Sequence, residues 1–148
     1  MNRSPFLFAV VALALPASAL AHPSHGGDYA PPKTEAPPIE ETVIPETYPE
    51  VVAALAEHLA ASETALGALK IADLHRSCAN ITDLVAALPT KASALSADDQ
   101  AAVTTTATRL QEKVTNLVSS ADKGDMEGAK TAMADVGADI EVLNGLVK

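Results

Sequence analysis

The chain has 148 residues, ten of them basic against nineteen acidic, for a formal charge of −9. Such an acidic surface repels nucleic acid and gains nothing from anionic lipid, so neither is an expected partner. With no tryptophan, two tyrosines and two phenylalanines, the chain also lacks the rings that base stacking, aromatic cages and carbohydrate platforms need.

The N-terminus follows the three-part pattern of a cleavable secretory signal. Asn2-Arg3 supplies the positive start, Phe6 to Leu15 is an unbroken apolar run, and small residues stand at Ala19 and Ala21. A run of this length is too short to span a bilayer. Residues 1–21 are therefore expected to be removed, giving a soluble periplasmic or secreted protein with no membrane insertion. Cleavage after Ala21 takes both phenylalanines and Arg3 away, leaves the mature chain at −10, and exposes His22-Pro23-Ser24-His25. Cleavage after Ala19 leaves Leu20 first instead.

Residues 22–47 change character. Seven prolines from Pro23 to Pro49 are interleaved with Gly, Glu and Thr, which reads as an extended tether of polyproline II character without a core. Residues 48–148 are then helical throughout. Tyr48, Val51, Val52, Leu55, Leu59, Ala65 and Leu66 recur at three- and four-residue steps, with Pro49 in the first turn and Gly67 marking the end. Ile71, Leu74, Cys78, Ile81, Val85 and Leu88 form a second stripe, which Pro89 is expected to kink or end, with a further turn over 90–95. Ser96 caps a third helix whose stripe is Val103, Thr106, Leu110, Val114, Leu117 and Ala121, and Gly124 suits a left-handed stop. Asp125 caps the last, with Met126, Ala129, Met133, Val136, Ile140, Leu143 and Val147 inward. Four amphipathic helices joined by short turns predict an all-α, up-down-up-down antiparallel four-helix bundle.

Two sets of residues point to metal chemistry. A terminal His22 chelates through its amine and ring, and His25 adds another nitrogen, a donor set suited to Cu(II). The competing reading is a polar tail with two incidental histidines. In the bundle, His75 and Cys78 share a helix face at i and i+3. An antiparallel fold about a turn near Ala68 sets His58 level with Cys78, and the same count brings Met133 within about one turn. Two imidazoles, a thiolate and a thioether suit Cu(I) or Zn(II). Against this, Cys is among the most buried residue types, Met fills core gaps, and both histidines fit a bundle boundary. The single Cys78 makes no intramolecular disulfide; a core thiol, an intermolecular bridge and a soft metal ligand all remain open.

Enzyme activity is not expected. A Cys–His pair on one helix supplies no oxyanion hole, and phosphate-loop and Glu-x-x-His patterns are absent. No CxxCH is present and the last helix has no histidine, so no haem is expected.

Through Ala21-His22-Pro23-Ser24-His25-Gly26-Gly27, the Leu74-His75 step, Ala87-Leu88-Pro89 and Ala121-Asp122-Lys123-Gly124-Asp125, the chain resembles a loose group of small exported bacterial proteins with a His-containing leader before a four-helix bundle. Proteins of that kind often accompany heavy-metal efflux or copper-handling systems. The resemblance implies copper binding or buffering, with envelope efflux components as partners. Relatives tend to carry a histidine where this chain has Leu117-Val118-Ser119-Ser120. The alternative is a metal-free interaction or structural module on a proline-rich tether.

Overall fold

The computed structural model describes residues 41–147. The proposed leader, the histidines His22 and His25 and most of the proline-rich stretch lie outside the described residues. Those described form four α-helices and no strand: α1 (Tyr48–Gly67), α2 (Ile71–Lys91), α3 (Ala97–Asp122) and α4 (Met126–Asn144), with a 3-10 turn at Ala92–Ala94. Helix α1 packs on α2, α2 on α3, α3 on α4, and α4 returns to α1.

Most of the stripe residues are buried; Leu59, Ile71, Met126 and Val147 are only partly so, and Leu84, outside the expected stripe, joins the core. Leu55, Leu74, Ile81, Leu84, Leu88, Leu110, Leu117 and Leu143 are fully buried, with alanines and valines between them. Aliphatic area removed from water is thus the main force holding the helices together. The starts are fixed by side chains: the Ser96 hydroxyl accepts from the Asp99 N–H at 3.2 Å, and Asp125 accepts from the Gly128 N–H at 2.9 Å. At α1 the Glu50 carboxylate accepts from both the backbone N–H and the hydroxyl of Thr47. Those hydrogen bonds hold the Glu50 carboxyl below its usual range.

The ends of α1 and α3 are built alike. The N–H of Lys70 bonds the Ala65 carbonyl and that of Leu69 the Leu66 carbonyl; likewise Asp125 bonds Ser120 and Gly124 bonds Ala121. This paired pattern needs a left-handed residue at its penultimate position. In α3 that residue is Gly124 (φ 72°), as its sequence suggests; in α1 it is Leu69 (φ 56°).

Two expectations are refined. Of the two outcomes open at Pro89, a kink or an end, the end does not occur: α2 continues to Lys91, and the 3-10 turn at Ala92–Ala94 falls within the further turn expected over 90–95. Proline removes one N–H and crowds the carbonyl four residues back; here only two helical residues follow it before the 3-10 turn. The tether, secondly, does not extend freely to residue 47. Thr42 Oγ1 lies 2.9 Å from Asn80 Oδ1 and 2.6 Å from Asp83 Oδ2 on α2, and Ile44 packs against the core. A hydroxyl and one aliphatic side chain give this irregular strap a seat that proline content does not reveal.

Candidate functional site

Helices α2 and α3 leave a cleft of about 640 Å³ between them. One wall comes from Cys78, Ala79 and Thr82 of α2, the other from Val114, Thr115, Val118 and Ser119 of α3. At the rim stand His75, Asp122 and Lys123. The volume lies in the range of small-ligand sites, with an apolar body and polar groups gathered at one end.

His75, on the second turn of α2, places Nε2 2.8 Å from Oδ1 of Asp122, the last residue of α3. Both side chains are about half exposed (44% and 49%), so the pair ties two helix ends together with little energetic weight. Cys78 is buried below it. Burial pushes its thiol up from the ordinary value, opposed in smaller measure by the neighbouring Ser62 hydroxyl. A raised thiol holds less thiolate at neutral pH, the form needed by a nucleophile or a metal ligand. Its carbonyl accepts from the Thr82 hydroxyl at 2.9 Å.

The expected cluster of His58, His75 and Cys78 does not assemble. Among the described residues no group of three or more His, Cys, Asp or Glu side chains is placed to hold a metal ion. His75 and Cys78 share the cleft, but His58 is not among its lining residues. The reason is register. Ser62, one turn after His58, is the α1 residue that stands beside Cys78, which centres the α1–α2 turn near Lys70 rather than Ala68. Moving the centre of a helical hairpin by two residues moves the facing partner by four, about 6 Å along the axis. Met133 lines a different groove, with Leu66, Leu69 and Met126 between α1 and α4. His22 and His25 lie outside the described residues.

Asp139 is a further polar feature that the helical stripes do not single out. Its carboxylate is buried on α4 (5% exposed), with Oδ1 3.0 Å from an Arg109 amino nitrogen and Oδ2 2.8 Å from Lys113 Nζ, both on α3. Lys113 also donates to the Asp135 carbonyl at 3.0 Å. The available signal was an acid on the apolar stripe between Val136 and Leu143, matched by Arg109 and Lys113 around Leu110. This clamp ties α3 to α4 and lies away from the cleft.

No protein-family model, curated protein or solved structure matches the chain significantly. What stands, among the described residues, is an all-helical fold with an apolar cleft at the α2–α3 seam. No helix among the described residues is long and apolar enough to cross a membrane.

Proposed function

We propose that this protein is an exported, non-catalytic binding module. Its four helices form an up-down-up-down antiparallel bundle, and its α2–α3 cleft accepts an apolar group with a polar or anionic end. The antiparallel arrangement is supported by contacts joining the start of one helix to the end of its neighbour: Tyr48 to Leu143, and His75 to Asp122. The observation that carries the binding reading is the cleft itself, apolar along Cys78, Val114 and Val118 and polar at His75, Asp122 and Lys123. Lys123 supplies the cation an anionic end would meet.

Anilinonaphthalene sulfonate, an aromatic body with one anionic group, is a suitable probe. Saturable one-to-one binding is expected, and Val118→Trp, which fills the cleft, should remove it while leaving the helical circular dichroism unchanged. Equal binding by parent and variant would overturn the reading. Sequencing of the protein recovered from the exported fraction should begin at His22.

Metal binding, the other reading of the sequence, concentrates on His22 and His25. Calorimetric titration of the processed chain with Cu(II) should give the same result after His58→Ala, His75→Ala or Cys78→Ala. A loss of stoichiometry in any of these would return the metal site to the bundle.

A further inference from the structure

Leu69 is placed at a cost. It holds the left-handed position that Gly124 holds in the matching turn, where a side chain costs about 1–2 kcal/mol. It is also 65% exposed, so the single chain recovers little of that cost by burial. Backbone and packing both argue against leucine here in an isolated molecule, and an outlier of this kind asks for a contact outside it.

Beside Leu69 lies a groove of about 470 Å³ along the α1–α4 seam, floored by Leu66, Met126 and Met133. This is the most sparsely packed of the four seams between helices. Its rims carry opposite charges, Glu63 on α1 and Lys130 on α4. Each stands four residues from the end of its helix at the turn, Gly67 or Met126, about 6 Å along the axis. With α1 and α4 antiparallel, as proposed above, and these ends level, the two charges come to similar height on opposite walls.

We propose that this face pairs with a second copy of the chain about a two-fold axis parallel to the seam, Leu69 of each packing against the other's groove. Such an axis sets the α1 wall of one copy against the α4 wall of the other. Glu63 then meets the partner's Lys130, and Lys130 meets the partner's Glu63. Among the described residues the Lys130 ammonium pairs with Glu127, at 3.2 Å and largely in solvent, a pairing released at little cost. The self-complementary rim is what selects a second copy over an unrelated apolar partner. The pairing is independent of the α2–α3 cleft.

Sedimentation velocity over a range of concentrations tests it. The full chain should show a monomer–dimer equilibrium. Leu69→Gly relieves the backbone and should raise the urea midpoint while weakening the dimer at least about tenfold. Glu63→Lys and Lys130→Glu should each weaken it, and the double reversal should restore it. A chain that stays monomeric throughout, a dimer unaffected by Leu69→Gly, or a double reversal no better than the singles would each overturn the proposal.

Discussion

The Tyr48 phenol donates a 2.8 Å hydrogen bond to the Leu143 carbonyl, across 95 residues of sequence. It joins the first residue of α1 to the last turn of α4 and closes the ring of helices. Leu143 also accepts from the Leu146 N–H, so removing the phenol leaves the carbonyl one partner. Tyr48→Phe should therefore cost about 1 kcal/mol in urea unfolding rather than the larger cost of an orphaned buried acceptor.

The same tyrosine makes stability depend on alkaline pH. Burial, and secondly the negative charge of Asp99, push its phenol from 10.0 up to about 12. An acid raised on folding is deprotonated first in the unfolded chain, so its contribution is complete below 10 and is lost as pH rises toward 12. The stability difference between the parent and Tyr48→Phe should shrink over that window, as read by urea midpoints at successive pH values.

Asp139 and its two cations should respond asymmetrically. Arg109 is half exposed and Lys113 about a quarter exposed, whereas Asp139 is buried. After Asp139→Ala the cations can turn to water, for a loss of about 1–2 kcal/mol. Arg109→Met with Lys113→Met strands a buried carboxylate and should cost about 3 kcal/mol or more. Chemical denaturation of the three proteins gives the order.

Cys78 should be silent in the native state. Its buried, raised thiol reacts only when the bundle opens, so its modification by a disulfide reagent should be slowed about a thousandfold or more relative to the unfolded chain. Oxidation without denaturant should yield no disulfide-linked dimer. Rapid native labelling would show the α2–α3 seam to be open in solution.

Two glycines should respond with opposite signs. A Cβ at Gly67 meets no atom within 4 Å, so Gly67→Ala should stabilise by about 0.5–1 kcal/mol. Gly124 has φ +72°, and Gly124→Ala should destabilise by about 1 kcal/mol. Thermal melts of the pair check both.

The stripes, caps and glycine stops of this chain are local patterns, and they are what its sequence makes legible. Val103 to Ala121 can be read inward from spacing alone, as can Ser96 and Asp125 as caps, because each depends on neighbours a turn away. The site is less legible. A turn centred near Ala68 sets His58 level with Cys78, but a left-handed Leu69 is not a residue from which a turn centre can be inferred. Asp122 as the partner of His75, and Asp139 between Arg109 and Lys113, depend on which helices touch and at what height. That information resides in the packing, not in any single helix.

The Thr42 anchor also sets where an independent piece of this protein can begin. A fragment starting at the first helical residue would lose the hydroxyl contacts to Asn80 and Asp83, the Ile44 packing and the Thr47–Glu50 cap together. Reporter fusions and affinity handles are better joined before Glu41, so that the bundle keeps the strap that fastens its first helix to its second.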